Sequence, residues 1–130
     1  MRRFVEFINT ADEDLAHEVI APDAVFHAPS HAEPLRGPEG YLEIIAMMRG
    51  GFPDVRWTLE ESIAEGSTVA ARFTMRGTHE GESFGIPATG NRIAVQAVNF
   101  YHLADGRIVK ERGQPDLLGL MRQIGAAPAP

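Results

Sequence analysis

The residues best suited to chemistry gather in the last third of the chain: Asn99, Arg112, Gln114 and Asp116. A carboxyl group enclosed by apolar side chains has its pKa raised toward neutrality. It can then take a proton from a carbon beside a carbonyl and return it to an oxygen. Asn99 and Gln114 bring amide N–H groups that can hold a carbonyl or enolate oxygen, and Arg112 brings a guanidinium that can polarise one. Each residue also has a plainer use. Asp116 directly precedes Leu117, and aspartate is a favoured helix N-cap. Arg112 and Asp116 can pair as ions at an open sheet end, and a buried amide can be satisfied by its neighbours. The residue types leave both uses open.

Other chemistries are poorly supplied. The chain has no cysteine, which removes thiolate nucleophiles, disulfides and cysteine metal sites. His27 and His31 are four apart, but Pro29 between them precludes a helical metal pair. No H-E-x-x-H or G-x-S-x-G occurs, so neither a metal site nor a serine hydrolase is supported. Gly81, Gly85 and Gly90 lack the following Lys-Ser/Thr of a phosphate loop and read as a loop folding over a pocket mouth. His17 reads as solvated helix, His79 as loop and His102 as an outer strand face, while His27 is placed to line a cavity.

These side chains must be carried by ordered elements. The chain has 130 residues, 44% hydrophobic and 23% charged, the proportions of one globular domain over residues 1–125 with a frayed tail at 126–130. A net charge of −6 argues against a nucleic-acid partner. The stretch Phe4–Ile8 is broken by Glu6, and no segment reaches the roughly 20 apolar residues of a membrane span, so a soluble, cytoplasmic chain is expected. Phe4, Phe7 and Ile8 mark one helical stripe, and Thr10-x-x-Glu13 reads as a capping box for a second helix carrying Leu15 and Val19. A short strand follows over 24–28. Gly37-Pro38 opens a third helix with Tyr41, Ile44, Ile45, Met48 and Phe52 on one face.

The period then changes to two. Val55, Trp57, Leu59 and Ile63 alternate with polar residues, as do Val69, Ala71, Phe73 and Met75. Long strands over about 92–104 and 107–114 flank the hairpin turn Asp105-Gly106, and a short helix with Leu117, Leu120 and Met121 ends the chain. Counting outward from that turn opposes Ala104 with Arg107, Leu103 with Ile108, Tyr101 with Lys110, Asn99 with Arg112 and Ala97 with Gln114. One face then carries Ile93, Val95, Ala97, Asn99, Tyr101, Arg112, Gln114 and Asp116; the other carries Val98, Phe100, His102, Val109 and Glu111. Helices followed by an antiparallel meander give an α+β plan in which a curved sheet wraps the helices and leaves a pocket between the layers.

Gly37-Pro38-Glu39-Gly40, Phe52-Pro53-Asp54, Gly77 to Gly81, Gly85 to Gly90, Leu103 to Ile108 and Asp116 to Gly125 together resemble the SnoaL-like polyketide cyclases of the nuclear transport factor 2-like superfamily. The resemblance implies a cone-shaped α+β barrel with a curved antiparallel or mixed sheet, a hydrophobic cavity, and homodimers or higher homo-oligomers built through the outer sheet face. It implies an intramolecular aldol-type ring closure of a small hydrophobic carbonyl substrate without metal or cofactor. The family's acid/base aspartate falls on Asp116; a family histidine falls on Asn99, which cannot transfer a proton, and His27 is a substitute. The expected site is therefore Asp116, Asn99 and His27 for catalysis. Gln114, Arg112, Tyr41, Ile45, Met48, Val95, Ala97 and Tyr101 are expected to bind the substrate. An isomerase, dehydratase or epoxide hydrolase, or a non-catalytic binder of a small apolar ligand, are the alternatives.

Overall fold

The computed structural model describes residues 1–27 and 33–125. Helices α1 (Arg2–Thr10) and α2 (Glu13–Val19) lead into strands β1 (Ile20–His27) and β2 (Leu35–Arg36). Helix α3 (Gly37–Gly51) precedes strands β3 (Arg56–Glu65), β4 (Thr68–Thr78), β5 (Arg92–Ala104) and β6 (Arg107–Pro115), and α4 (Leu117–Gln123) follows. The strands form one sheet in the order β2-β1-β6-β5-β4-β3. It is mixed: β1 runs parallel to β6 and every other pair is antiparallel. The α+β expectation holds, and the sheet stays open, with β2 and β3 as its edges. Ala28, His31 and the tail at 126–130 lie outside the described residues. No helix among the described residues is long and apolar enough to cross a membrane.

The helical stripes pack as their spacing requires. Phe4, Phe7 and Ile8 of α1 join Tyr41 and Ile45 of α3, Phe26 of β1, Phe73 of β4 and Tyr101 of β5 in one buried cluster. Phe4 meets Tyr41 and Tyr101 edge-on at 5.5 and 5.0 Å between ring centres, a favoured aromatic geometry. Asn9 ties α1 to the edge strand: its side chain accepts from the Trp57 N–H and donates to the Trp57 carbonyl, both at 2.9 Å. A second cluster, with Phe52, Met75, Ile93, Val95, Leu120 and Ile124, seats α4. The N-cap of α2 is not Thr10. Asp12 caps it, accepting from the Leu15 N–H at 3.1 Å, while the Thr10 hydroxyl bonds back to the Glu6 carbonyl.

Two β-bulges change which residues face inward. In β3 the register shifts between Leu59 and Glu61. Trp57 and Leu59 face the core as expected, but beyond the shift Ile63 pairs with Ala70 and points out, 72% exposed. In the β5–β6 hairpin, Ala104 opposes Arg107 and Leu103 opposes Ile108 as the turn dictates. The register then slips. His102 opposes Lys110, Tyr101 opposes Glu111, Asn99 opposes Gly113 and Ala97 opposes Pro115. A slip of one residue reverses every side chain beyond it. The expected inward cluster of Arg112, Gln114 and Asp116 is therefore corrected: all three are exposed, while Glu111, expected outside, is buried.

Burial accounts for that bulge. Ile108 belongs to the core beside Leu103, so its side chain must point inward. An unbroken alternation from Ile108 would drive Lys110, Arg112 and Gln114 into the same wall. Desolvating two cations and an amide costs far more than burying one carboxyl group that can be neutral and hydrogen-bonded. The extra residue, Val109, lets Ile108 and Glu111 both face in.

Candidate active site

A pocket of about 180 Å³ opens between α3 and the concave side of β4, β5 and β6. Its wall is mostly apolar. Ile45 and Met48 come from α3, Val95 and Ala97 from β5, and Trp57, Phe73 and Met75 from β3 and β4. Phe84, at the tip of the loop after β4, lines it with a positive φ of 55°. The loop is held at its base by the buried His79, whose Nδ1 lies 2.9 Å from the Thr89 hydroxyl. His79 was expected in the loop; its burial was not. Gly81 packs directly on the Gly50 carbonyl, where no side chain fits.

Polar groups collect at one place. Both tyrosines of the chain, Tyr41 of α3 and Tyr101 of β5, reach Glu111 of β6. The Tyr41 hydroxyl donates to Glu111 Oε1 at 2.9 Å. The Tyr101 hydroxyl favours the ionised form of the same carboxyl group, and Asn99 Nδ2 donates to that hydroxyl at 3.0 Å. All four residues border the pocket. No Lys or Arg forms an ion pair with Glu111 among the described residues. Burial pushes the Glu111 carboxyl up to about 7, against the opposing pull of the two tyrosine hydroxyls. Desolvation, with Glu111 close by, holds both tyrosines well above their ordinary range. The arrangement presents hydroxyl and amide donors beside a carboxyl group able to hold or release a proton near neutral pH.

Among the expected site residues, the structure brings Asn99, His27, Tyr41, Ile45, Met48, Val95, Ala97 and Tyr101 to this pocket. Asp116, Gln114 and Arg112 do not line it. Asp116 is the N-cap of α4 and accepts from the Gly119 N–H at 2.9 Å. It stands at the rim between Pro115 and Leu117, which do line the pocket. Glu111 is the residue that sequence reasoning placed on the wrong face. A usable signal existed: Ile108 and Glu111 cannot share a face without a bulge, and the pocket's two tyrosines need a buried partner. Among the described residues, no group of three or more His, Cys, Asp or Glu is gathered to hold a metal ion.

A helix-covered curved sheet with a pocket of this kind defines a class of small α+β proteins, and the comparisons with known proteins give the family. The profile of the SnoaL-like polyketide cyclases matches residues 1–124. The chain belongs to that family. It is 34% identical to the aklanonic acid methyl ester cyclase DauD of Streptomyces sp. (strain C5), over 96% of this chain and 79% of that one. It is 30% identical to the nogalonic acid methyl ester cyclase of Streptomyces nogalater, over 93% and 91% of the two chains. Among solved structures, TsrD of Streptomyces laurentii superposes with a TM-score of 0.86 at 31% identity, covering 98% and 92%. IdmH of Streptomyces antibioticus superposes with a TM-score of 0.83 at 32% identity, covering 95% and 94%.

Proposed function

We propose that this chain is a cofactor-free cyclase that closes a ring in a small hydrophobic carbonyl compound by an aldol-type step. The observation that carries this reading is an apolar pocket whose hydroxyl, amide and carboxyl groups meet at one end. Apolar walls hold an aromatic body, and the polar end receives the reacting oxygens. The step needs a proton removed beside one carbonyl, a carbon–carbon bond formed to a second carbonyl carbon, and a proton delivered to the resulting alkoxide. It is an isomerisation overall and consumes nothing else. Asp116, the position at which the family resemblance puts the acid/base, stands at the rim and reaches the reaction only if a substrate extends to α4. The cyclase works in the cytoplasm as a homodimer, and Ile63, Ala70 and Phe100, one row across β3, β4 and β5 of the outer face, supply apolar surface for the second copy.

The test is incubation with a panel of aromatic β-carbonyl esters of increasing ring number, aklanonic acid methyl ester among them. Ring closure gives a product of unchanged mass with a new chromophore and retention time, and loss of one water would mark a dehydratase instead. Conversion of no panel member, by a folded protein at micromolar concentration, sinks the reading. Asp116→Asn keeps the cap, so its turnover reports on the proton-transfer role alone.

A further inference from the structure

We infer that Glu111 is the group that exchanges a proton with a carbonyl or enolate ligand in the pocket, and that Tyr41 and Tyr101 are the residues that position it. The inference rests on the cyclase reading for the identity of the ligand, but its geometry stands alone. Glu111 is the pocket's one buried carboxyl among the described residues, and it borders the same space as Val95, Ala97 and Asn99. The Tyr41 hydroxyl of α3 donates to it at 2.9 Å, and the Tyr101 hydroxyl of β5, which accepts from Asn99, favours its ionised form. A carboxyl group serving only the fold would be satisfied more simply by a cation or by facing solvent. Here the bulge in β6 turns it away from solvent and toward the cavity.

In the aldol-type step the Glu111 carboxylate takes the proton from the carbon beside the first carbonyl, leaving an enolate. Its carbon attacks the second carbonyl carbon, and the new alkoxide takes the same proton back from the Glu111 carboxyl. Asn99 Nδ2 gives one N–H to the Tyr101 hydroxyl and has a second to offer the enolate oxygen. The proton account closes on Glu111 itself. A value about 7 leaves the carboxyl partly ionised at neutral pH, the condition for efficient proton transfer in both directions.

The probe is 2,4-dinitrophenolate, a planar enolate analogue that is anionic throughout neutral pH, titrated into the full-length protein and read by its absorbance. An anionic oxygen is received by the protonated Glu111 and repelled by the ionised one. Kd should therefore rise about tenfold between pH 6 and pH 8. His27 also borders the pocket, so His27→Gln is the control and must keep the slope. Tyr41 donates to Glu111, Tyr101 opposes it on β5, and Phe26 is its partner on β1. Glu111→Gln should bind with no slope over the range. Tyr41→Phe removes a donor that favours the carboxylate, so it should move the midpoint upward; it also serves should the glutamine variant fail to fold. A slope that survives in Glu111→Gln, a midpoint unmoved in Tyr41→Phe, or absence of binding at any pH each overturns the inference. A pH-dependent phenolate site with no turnover of the ester panel would instead remove the cyclase reading and leave this one standing.

Discussion

A carboxyl group held near neutral pH inside a protein must register in the protein's stability, and Glu111 allows the size to be worked out. An ordinary glutamate releases its proton near 4.5, whereas burial raises Glu111 to about 7. The unfolded chain therefore binds fewer protons than the folded one between those values, and raising the pH there favours unfolding. Stability from this group is fully present below about 4.5, falls as pH rises, and levels off above about 7. At about 1.4 kcal/mol per pH decade, the gap amounts to a loss on the order of 3 kcal/mol. Every other titrating group is shared with Glu111→Gln, so the difference between the two proteins isolates the effect. Urea unfolding followed by Trp57, the chain's one tryptophan, measures it between about pH 5 and pH 8. The wild type should lose on the order of 2–3 kcal/mol relative to the variant across that range, with equal m-values. A difference constant with pH would show that Glu111 titrates as an exposed carboxylate, and the buried tyrosine–carboxyl arrangement would fall with it.

Three further outcomes test the local structure. Gly81→Ala drives a methyl group into the Gly50 carbonyl, and it should cost about 2 kcal/mol or more in thermal unfolding, whereas Gly50→Ala, with open space around it in α3, should gain about 0.5–1 kcal/mol. Asp116→Ala should cost about 1 kcal/mol through loss of the α4 cap, while Asp116→Asn stays within a few tenths by the same melt. Asp12→Ala should lower stability by about 1 kcal/mol and Thr10→Ala by clearly less, because Asp12 makes the capping bond of α2; the reverse order would reinstate the Thr10 box.

Much of the architecture is legible in periodicity. Phe4, Phe7 and Ile8, and likewise Tyr41 and Ile45, announce helix faces because an apolar stripe at helical spacing has one way to be buried. Asp105-Gly106 fixes its hairpin because both residues adopt positive φ, at 53° and 77°, as the tight turn needs. Strand β2 escapes the pattern: two residues are too few to show a period. The parallel pairing of β1 with β6 joins segments far apart in sequence and leaves no local mark.

The site is less legible than the fold for one physical reason. Strand parity carries information only as far as the next bulge, and the bulges in β3 and β6 fall inside strands whose outer residues are also partly apolar. In β3 the parity error merely misplaces Ile63 on the surface. In β6 it exchanges the chemistry of the pocket, replacing a guanidinium, an amide and a helix-capping carboxylate by Glu111, Gly113 and Pro115. Gly113 then faces Asn99, with its hydrogen where a methyl group would lie 3.1 Å from Asn99 Oδ1, so the strand leaves room for the amide. Residues that the hairpin count assigned from β5 kept their side because they precede the slip; those from β6 lost theirs because they follow it. What decides the chemistry of this pocket is therefore the energetic cost of burying Lys110 and Arg112, which the strand avoids by one extra residue, and Glu111 is the polar group left inside.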